Sequence, residues 1–435
     1  MSAKLRVCVV GGGGREHALA HVLSRTADVL VTPGNPGVGG EGLGEGLGLG
    51  HGAVASTSAP PEEIAADLFV VGPDVPLVEG LADRLRAGGA RVFGPGADGA
   101  RLEGSKAWMK EVLVAAGVPT ASYATFTDPV EAVRHLRQRP GPWVVKTDGL
   151  AGGKGVLVTD SLDEACADVE AKLAGHSFGR AGRRVVLEEA LSGPEVSLLV
   201  LCDGRHVLPL APAQDFKRLG DGDAGPNTGG MGACSPVPVA APRVVDQVMD
   251  EVLEPTLAEL LRRGIDYRGV LYAGLMLTEA GPRLIEYNVR FGDPEAQVVL
   301  PRVEGDLAEV LAEVADGCLR TAPAFRPDAC VSVVMAAKGY PSNPCLGDII
   351  TGVEEAGDLE GVTVFHAGTA LDSEGRLVTA GGRVLDVTAT GPSLAVARDR
   401  AYAGVERIAW AGAQWRRDIA QSASQASEAT QMVAS

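Results

Sequence analysis

The chain has 435 residues and a formal net charge of −17, with 46% hydrophobic and 22% charged residues. This length predicts about two to four domains, and the composition is ordinary for a globular protein. The negative charge argues against nucleic acid or an anionic membrane as a partner, because both need a basic surface. It allows phosphorylated small molecules as ligands, since these require only a few local cations.

Cysteine usage predicts a reducing compartment. The seven cysteines are scattered and never spaced Cys-x-x-Cys, which argues against a disulfide framework and against a zinc site. The N-terminus enters a strand directly, without an apolar signal region, and no apolar run approaches the roughly 20 residues of a membrane span. We therefore expect a cytoplasmic protein without a membrane segment.

The first hundred residues alternate between buried strands and helices. A helix is expected after the glycines at 11–14, and residues 39–52 are rich in glycine and predict a surface loop. The expected strands are residues 5–10, 29–32, 68–71 and 92–93. This alternation predicts an open parallel α/β domain over residues 1–104.

From residue 105 the pattern mixes strands and helices. Ser105 is the expected N-cap of a helix that ends at residue 116. Strands are expected at 144–146, 155–159, 185–189, 195–202, 269–278, 283–290, 329–336, 362–367 and 383–388. Helices are expected at 162–173, 244–263 and 394–408, with an irregular stretch at 214–238. The Ser-, Ala- and Gln-rich residues 421–435 predict a disordered tail.

Residues 284–295 read Leu-Ile-Glu-Tyr-Asn-Val-Arg-Phe-Gly-Asp-Pro-Glu and carry the strongest chemical signal. Side chains alternate between the faces of a strand, so Glu286, Asn288 and Arg290 should share one face. The other face should point into a core and carries Ile285, Tyr287 and Val289. Carboxylate and amide oxygens suit Mg²⁺, and a guanidinium holds a carboxylate or phosphate. The alternative, an edge strand with a solvated polar face, fits the sharp turn that follows less well.

The glycines at 11–14 stand between a strand and a helix, where backbone N–H groups can approach an anion. A dinucleotide fingerprint is disfavoured, because Glu16 and His17 occupy the positions where it needs glycine. The loop therefore predicts phosphate binding, with a purely structural turn as the alternative. His17 and His21 are spaced i, i+4, but without a third ligand nearby we expect no metal there.

Two further segments end neighbouring strands of the same domain. They are Gly34-Asn-Pro-Gly37 and Gly72-Pro-Asp74. Ligands bind at this edge of open α/β sheets, although either segment could be only a turn.

The segment Lys146-Thr-Asp-Gly-Leu-Ala-Gly-Gly-Lys154-Gly155 is a glycine-rich loop between two expected strands. It is not a Walker A loop, because Lys154 stands where that motif needs glycine and a strand follows instead of a helix. The pattern favours a flap that folds over a nucleotide triphosphate, against a structural hairpin. Glu188, Glu189 and Glu195 on later strands could accept from adenine or ribose, although isolated acids are more often surface charges.

A polar loop runs from Gln214 to Gly232 and contains Lys217, Arg218 and the segment Gly-Gly-Met-Gly. Its cations and a nest of backbone N–H groups favour phosphate binding, with a structural loop as an equal alternative. A calcium loop starting at Asp221 is rejected, because its twelfth position is Gly232 where Glu is needed.

Taken in this order, the motifs resemble the ATP-grasp ligases and, more narrowly, the phosphoribosylamine–glycine ligases (glycinamide ribonucleotide synthetases) of purine biosynthesis. The resemblance extends to Ile419. It rests on Gly-Gly-Gly-Gly-Arg-Glu-His-Ala at 11–18, on the flap, and on Arg-Phe-Gly-Asp-Pro-Glu at 290–295. Gly-Pro-Asn-Thr-Gly-Gly-Met-Gly at 225–232, Phe-His-Ala-Gly-Thr at 365–369 and Gly-Gly-Arg-Val at 381–384 add to it.

The resemblance implies a multidomain fold of mixed α/β and α+β class. An N-terminal open parallel α/β domain (1–104) should precede ATP-grasp subdomains (105–325, with a flap subdomain at 120–192) and a small β-rich C-terminal domain (326–420). The implied reaction is the ADP-forming ligation of glycine to 5-phosphoribosylamine through glycyl phosphate, with ATP as co-substrate and Mg²⁺ or Mn²⁺. Whether the upstream amidotransferase hands the unstable amine over directly stays open.

The resemblance also assigns site residues. The metal ligands are expected to be Glu286 and Asn288. ATP is expected to contact Lys106, Lys146, Gly152, Gly153, Lys154, Gly155, Glu188 and Glu195. The other substrates are expected at Gly12, Gly13, Gly14, Asn35, Gly37, Asp74, Asp215, Asn227, Thr228 and Gly229. The reacting groups are expected to face Arg290, Lys217 and Asp293. Phosphoryl transfer needs positioning and charge neutralisation more than a side-chain nucleophile, which fits the lack of a Ser/His/Asp or Cys/His pattern.

Two departures from the family pattern stand out. The flap reads Leu-Ala-Gly-Gly-Lys where Leu-Ala-Ala-Gly-Lys is expected, and residues 269–278 lack the second metal-binding acid of many ATP-grasp enzymes. Two rival functions are an ATP-grasp ligase or carboxylase with another acid and nucleophile, and a nucleotide-binding regulatory protein without turnover. The loop at 227–232 argues against the first, and the pair Glu286 and Asn288 with its lysines argues against the second.

Overall fold

The structure is a computed structural model that describes residues 4–39, 52–152, 154–175, 177 and 179–434. Most of the glycine-rich segment at 39–52, and Gly153 of the flap, therefore lie outside the described residues. None of the described helices combines the length and the apolarity needed to cross a bilayer.

The N-terminal domain is the expected open parallel sheet. Its strands are β1 (Arg6–Gly11), β2 (Asp28–Pro33), β3 (Val54–Ser56), β4 (Leu68–Val71) and β5 (Val92–Phe93). They pair in parallel in the order β3-β2-β1-β4-β5. The helices are α1 (Gly14–Leu23), α2 (Asp74–Val78), α3 (Leu81–Ala87) and α4 (Ala97–Gly104), with a 3₁₀ turn at Pro61–Glu63. Strand ends near α1 and α2 therefore meet at one edge of the sheet.

The flap subdomain is a separate four-stranded antiparallel sheet. It follows helix α5 (Lys106–Ala116), whose predicted N-cap is confirmed because the Ser105 side chain accepts from the Trp108 amide. The strands are β6 (Tyr123–Phe126), β7 (Trp143–Thr147), β8 (Val156–Thr159) and β9 (Val185–Glu189), in the order β6-β9-β7-β8. Helices α6 (Pro129–Arg137) and α7 (Leu162–Leu173) cover one face, with a 3₁₀ turn at Gly179–Arg183.

A second four-stranded sheet forms the body of the cleft. Its strands are β10 (Glu195–Asp203), β11 (Val207–Pro209), β16 (Arg268–Thr278) and β17 (Gly281–Asn288), in the order β11-β10-β16-β17. The helix expected at 244–263 consists of α8 (Pro242–Val248), a π-helical turn (Met249–Leu253) and α9 (Glu254–Arg262). Pro255 has no N–H to donate, which accounts for the local change of hydrogen-bond pattern.

The body sheet is completed by elements that follow β17. They are α10 (Glu295–Val299), a 3₁₀ turn (Leu300–Arg302), α11 (Leu307–Asp316) and the short pair β18 (Val303–Glu304) with β19 (Ala324–Phe325). The apolar side chains of α11 join the core beneath β10 and the N-terminal sheet. One continuous core therefore supports both the N-terminal domain and the body.

The segment at 214–238, expected to be irregular, contains four short strands. They are β12 (Gln214–Asp215), β13 (Arg218–Gly220), β14 (Ala224–Asn227) and β15 (Gly232–Ser235), with a 3₁₀ turn at Asp221–Asp223. That expectation was wrong because the segment pairs with distant strands, which local sequence does not reveal. Strands β12 and β15 extend the sheet of the C-terminal domain.

The C-terminal sheet is antiparallel, in the order β12-β15-β20-β24-β21. Its later strands are β20 (Ala329–Ala336), β21 (Val362–His366) and β24 (Arg383–Gly391), with a hairpin of β22 (Thr369–Leu371) and β23 (Leu377–Thr379) beside it. The helices are α12 (Val353–Gly357), α13 (Leu394–Val405) and α14 (Gln421–Ala434). The tail prediction is corrected by α14: residues 421–434 are helical, and Ala423 packs into the C-terminal core.

Strand β17 departs from simple alternation. Glu286 pairs with Gly274 whereas Leu275 pairs with Leu284, so Ile285 is an extra residue in a β-bulge. Leu284, Tyr287 and Val289 therefore point into the core, and the expected core position of Ile285 was wrong. The bulge leaves Glu286 on the cleft side of the strand.

Candidate active site

Glu286 is the centre of a cluster of positive charge. Burial works to raise the pKa of this carboxyl, but four nearby cations outweigh burial and hold the pKa below its usual value. The cations are Lys217, Lys146, Lys106 and Arg290. Among the described residues no donor hydrogen-bonds to the Glu286 carboxylate. Glu286 is thus a half-buried, ionised carboxylate that, in the described part of the chain, has cations nearby but no hydrogen-bond donor.

Asn288 and Arg290 follow on the same side. The Arg290 Nη2 donates to Asn288 Oδ1 at 3.0 Å and to Glu103 Oε1 at 2.8 Å, and it lies 3.9 Å from Asp74 Oδ2. The second oxygen of Glu103 accepts from the Val289 amide at 2.8 Å. Arg290 is therefore held by protein carboxylates at the junction of α4 and β17, and Asp74 lies beside it at the start of α2.

Glu103 is an unusual partner for an arginine. Burial raises the pKa of Glu103 to about 7 and Asp74 adds to the rise, although Arg290 opposes it. The charge of Arg290 is retained, because Glu103 and Asp74 raise its pKa against the effect of burial. The guanidinium is thus a permanent cation next to the expected metal ligands.

The oxygens of Glu286 and Asn288 fit a hard divalent cation. Glu286 carries a full negative charge, and the amide oxygen of Asn288 has a lone pair left beside its bond to Arg290. Gly274 lies opposite Glu286, so no acid stands on β16 at that position. No group of three or more His, Cys, Asp or Glu in the described chain is arranged for a metal. Two protein ligands would leave most positions to water and phosphate oxygens.

The lysines expected to hold ATP meet beside β9. Lys146 Nζ lies 3.0 Å from Glu188 Oε2 and donates to the Ile285 carbonyl at 3.2 Å, while Lys110 Nζ lies 3.3 Å from Glu188 Oε1. Burial lowers the pKa of Lys110 to about 8, although Glu188 opposes the change. Glu188 is therefore balanced by two buried lysines, one of which the motifs did not single out.

The flap loop is anchored at its first turn. Asp148 accepts from the Ser105 hydroxyl at 2.9 Å and from the Ala107 amide at 2.8 Å, and Lys106 Nζ donates to the Gly149 carbonyl at 3.4 Å. Lys154, at the far side of the loop, is exposed. The loop is thus tied to the start of α5, with Lys106 directed toward its backbone.

The glycines of the flap differ in the space around them. Gly152 has a positive φ and open space around it, whereas a side chain at Gly155 would collide with Ala151 and Thr147. Close packing therefore begins where the loop enters β8.

Lys217 forms ion pairs with two carboxylates in the cleft. Its Nζ lies 3.1 Å from Glu195 Oε2 and 3.9 Å from Asp215 Oδ1. Burial raises the pKa of Asp215 to about 8, with Glu295, Glu195 and Glu286 adding to the rise and Lys217 opposing it. Glu195, expected at ATP, is an ion-pair partner of Lys217 in this structure.

A side chain of helix α1, which follows the N-terminal glycine loop, accepts a hydrogen bond from that loop. The Gly13 amide, expected at phosphate, donates to Glu16 Oε2 at 2.7 Å, and Arg15 Nε lies 2.5 Å from Glu16 Oε1. Close approach explains the glycines: a Cβ on Gly12 would lie 2.5 Å from the Gly34 carbonyl oxygen, and one on Gly14 would lie 1.9 Å from a carboxylate oxygen of the C-terminal domain. The loop is therefore packed on three sides.

Asn35 and Gly37 connect this loop to the C-terminal domain. The Asn35 amide donates to the Gly12 carbonyl at 3.0 Å and to the His366 carbonyl at 2.8 Å. A side chain on Gly37 would collide with His17 and His366. His17 Nδ1 accepts from the His366 amide at 2.8 Å, so this ring links the N-terminal and C-terminal domains.

The loop at 227–232 folds back on Lys217. The hydroxyl and amide of Thr228 both donate to the Lys217 carbonyl at 2.8 Å, and the Gly230 amide donates to the Thr228 hydroxyl at 3.0 Å. Asn227 pairs with Arg218 in the small hairpin of β13 and β14. The expected substrate residues of this loop are therefore held next to the expected catalytic lysine.

Asp293 is fully engaged in the turn after β17. Its Oδ1 accepts from Gln297 Nε2 at 2.8 Å, and its Oδ2 lies 2.8 Å from Arg383 Nη2. Gln297 also donates to Asp386 Oδ2 at 3.0 Å. Burial would raise the pKa of Asp293, but Arg383 and Arg15 hold it below its usual value.

Three family models match nearly the whole chain. They are the N domain of phosphoribosylglycinamide synthetase at residues 5–103, its ATP-grasp (A) domain at 104–296 and its C domain at 330–422. The chain belongs to the phosphoribosylglycinamide synthetase family. Family membership confirms the resemblance and the multidomain fold that the motifs implied.

Individual relatives agree with the family models. The chain is 50% identical over 423 residues to a phosphoribosylamine–glycine ligase of Streptomyces coelicolor, covering 96% of this chain and 99% of that protein. It is 48% identical over 419 residues to a ligase of the same name from Mesorhizobium japonicum, covering 95% and 97%.

Two solved structures resemble the chain, one at much higher sequence identity than the other. A crystal structure of phosphoribosylamine–glycine ligase from Thermotoga maritima matches with a TM-score of 0.82 and 34% identity, covering 95% of this chain and all of that chain. A biotin carboxylase complex from Campylobacter jejuni matches with a TM-score of 0.67 at 13% identity, covering 95% and 93%. The second match is a likeness of fold alone.

The structure brings a group of the expected site residues together. Glu286, Lys106, Lys146, Lys217 and Arg290 form one charged cluster, with Asn288 and Asp74 beside Arg290. Four participants were missed by sequence reasoning: Glu103, Lys110, Tyr340 and Arg383. Arg383 lies in the Gly-Gly-Arg-Val segment at 381–384, which carried part of the family resemblance and could have directed attention to this residue. Glu103 and Lys110 look like ordinary helical charges in the sequence.

Proposed function

We propose that this chain is an ADP-forming ligase that joins glycine to 5-phosphoribosylamine, giving glycinamide ribonucleotide and phosphate. The observation that carries the proposal is the ionised Glu286 among Lys106, Lys146, Lys217 and Arg290, in a member of the phosphoribosylglycinamide synthetase family. Such a cluster suits a triphosphate and an acyl phosphate, because positive charge stabilises the oxygens between which a phosphoryl group moves.

The reaction has two chemical steps. In the first, a glycine carboxylate oxygen attacks the γ-phosphorus, the bond to the β-phosphate oxygen breaks, and ADP leaves. In the second, the sugar amine attacks the carbonyl carbon of glycyl phosphate, the bond from carbon to the phosphate oxygen breaks, and the amine nitrogen loses a proton. Both steps need charge neutralisation and alignment more than a side-chain nucleophile.

The nucleotide is held on the flap side of the cleft. Lys106 and Lys146 neutralise its phosphates, Glu188 accepts from the base or ribose, and the flap at 149–155 covers the phosphates with Lys154. Glu286 and Asn288 would hold a divalent cation, which would neutralise phosphate oxygens. ATP-grasp enzymes use ATP with such a cation, and Mg²⁺ is the proposed ion because both ligands are hard oxygens, with Mn²⁺ as a substitute.

The two small substrates meet on the opposite side. Arg290 faces the reacting carboxylate. Lys217 and Asp215 lie in the cleft, where β12 approaches the start of β10. The sugar phosphate is bound by the glycine loops near Gly13 and Gly229. A cleft closed by the flap would exclude water and protect the acyl phosphate from hydrolysis. The enzyme would act in the cytoplasm, with the amine supplied by an amidotransferase.

The decisive experiment follows the oxygen of glycine. ADP release is measured with ATP, Mg²⁺ and carboxylate-¹⁸O glycine, with and without phosphoribosylamine formed in situ. Release that requires both substrates, with ¹⁸O appearing in phosphate, is the expected result, because the bridging oxygen comes from the carboxylate. Turnover independent of glycine would reject this substrate and leave another acid to be sought. ATP binding without any ADP would favour a regulatory protein.

A further inference from the structure

The C-terminal Gly-Gly-Arg-Val segment has no role in the reaction as proposed, yet its arginine reaches the cleft. Arg383 stands at the first position of β24. Its Nη1 donates to the Gly229 carbonyl at 2.5 Å and to the Asp293 carbonyl at 2.7 Å. Its Nη2 lies 2.8 Å from Asp293 Oδ2. One guanidinium therefore binds two loops that are separate in the sequence.

A second side chain of the same domain holds the same peptide group. The Gly229 amide donates to the Tyr340 hydroxyl at 3.0 Å. The N–H and the C=O of Gly229 are thus both bound by the C-terminal domain. The loop also packs tightly, since a Cβ at Gly229 would lie 3.2 Å from the guanidinium carbon of Arg383.

No other residue in the described part of the chain hydrogen-bonds to both loops. Of these two loops, Tyr340 hydrogen-bonds to the one at 227–232, and Gln297 hydrogen-bonds to the turn that contains Asp293. The charge of Arg383 is secure, because Asp293 raises the pKa of the guanidinium although burial opposes the rise. A planar, doubly forked cation is needed for three acceptors spread over two loops.

We infer that Arg383 is a positioning residue which sets the distance between Gly229 and Asp293, and with it the width of the pocket for the phosphorylated sugar amine. This inference rests on the proposed function, since it assigns a part to the C-terminal domain in the same cleft. Arg383 acts through the loops and need not touch the nucleotide, so its effect is confined to the sugar substrate.

The test is Arg383→Lys in the full chain. Lysine keeps the charge but presents a single ammonium, so it cannot hold both loops in one geometry. The expected result is a KM for phosphoribosylamine raised about 10- to 100-fold, with the KM for ATP within about twofold of wild type. Calorimetric binding of glycinamide ribonucleotide should weaken by a similar factor.

A matched control is Arg398→Lys in the same domain. Arg398 also donates to backbone carbonyls, of Ile419 at 3.0 Å and of Arg417 at 2.7 Å, but both acceptors lie within the C-terminal domain. This variant should lower Tm without changing either KM. Tyr340→Phe, which removes only the bond to the Gly229 amide, should raise the KM for phosphoribosylamine by a smaller factor than Arg383→Lys.

The outcomes separate this inference from the function on which it rests. A wild-type protein that forms no glycinamide ribonucleotide overturns both. An active wild type, with an Arg383→Lys variant that loses only Tm or shows equal rises in both KM values, overturns the positioning role alone. If Arg383→Lys does not fold, an unchanged KM for phosphoribosylamine in Tyr340→Phe overturns it as well.

Discussion

The two sides of the cleft differ in how their charges are balanced. On the proposed nucleotide side, Glu286 lies near Lys106 and Lys146 and receives no hydrogen bond from the described residues. On the proposed sugar side, Gln297 and Arg383 bind the two oxygens of Asp293, at 2.8 Å each. In the proposed assignment, bound ligands complete the charge balance on the nucleotide side, whereas protein groups already provide it on the sugar side.

This difference has a general reason. Phosphates and a divalent cation bring their own strong charges, so a protein can leave matching charges without protein partners until they bind. The phosphorylated sugar amine brings a single phosphate and no metal ion, so we expect the protein to fix the shape of its pocket. Substitutions on the nucleotide side should thus affect catalysis more than folding.

The largest effect is expected for Glu286→Gln. This change keeps the volume but removes the charge that balances four cations, and kcat should fall by roughly 10³-fold, the upper end for loss of one electrostatic contact. Binding of Mn²⁺ in the presence of ATP, followed by electron paramagnetic resonance, should weaken in parallel. Circular dichroism should stay unchanged, and Glu304→Gln on the surface is the control. A near-normal kcat would remove Glu286 from the metal site.

A smaller effect is expected for Lys146→Met. Lys146 is buried against Glu188, and its loss removes one charged hydrogen bond from the phosphates while Lys110 still balances the glutamate. Loss of such a bond costs about 1.5–3 kcal/mol, so kcat/KM for ATP should fall by about 10- to 100-fold. The KM for phosphoribosylamine should be unaffected. Equal losses for both substrates would contradict the separation of the two sides.

A still smaller effect is expected for Lys154→Ala. The side chain is exposed, so we expect it to contribute only when the flap closes over ATP. The KM for ATP should rise by about 10-fold or less, with Tm unchanged. Lys338→Ala, another exposed lysine, is the matched control and should behave as wild type. A change in Tm would show that Lys154 supports the resting fold.

The smallest effect concerns stability and pH. The folded pKa of Asp215 is about 8, above the value of about 4 for an unfolded chain. The stability that Asp215 contributes is fully present below its unfolded pKa of about 4. It is lost as the pH rises through the folded pKa of about 8. Ligand-free Asp215→Asn should therefore gain a few degrees of Tm relative to wild type between pH 6 and pH 9, measured by scanning fluorimetry.

Asp372→Asn provides the opposite control for this measurement. Backbone and side-chain hydrogen bonds from Arg376 lower the pKa of Asp372, so its carboxylate is ionised throughout the range. The Tm difference between this variant and wild type should be flat from pH 6 to pH 9. A flat difference for Asp215→Asn as well would mean that Lys217 keeps Asp215 ionised.

Local patterns in the sequence predicted much of this molecule. The periodicity of residues 162–173 and the run at 68–71 coincide with α7 and β4, and the Ser105 cap is where capping chemistry requires it. Glu286 and Asn288 were singled out as metal ligands because strand alternation places two oxygen donors on one face. These features depend on neighbours within a few residues.

Long-range contacts were beyond local reasoning. Glu103 bonds to Arg290 across 187 positions, and Arg383 bonds to Gly229 across 154 positions. No spacing rule links such pairs, because only the folded domains bring them together. The bulge at Ile285 likewise depends on which partner residues β16 offers, and the helical tail depends on packing of Ala423. The sequence thus pointed to individual residues of the candidate site but not to the hydrogen bonds and ion pairs between them.

The shared sheet of the C-terminal domain has a consequence for dissecting the protein. The family model of that domain begins at residue 330, yet β20 hydrogen-bonds to β15, which lies almost a hundred positions earlier. A fragment that starts at 330 would expose the edge of β20, and exposed strand edges promote aggregation through strand pairing. The sequence family model of the C-terminal domain therefore omits part of the folded domain. A chimaera that exchanges this domain would have to include the strands at 214–235.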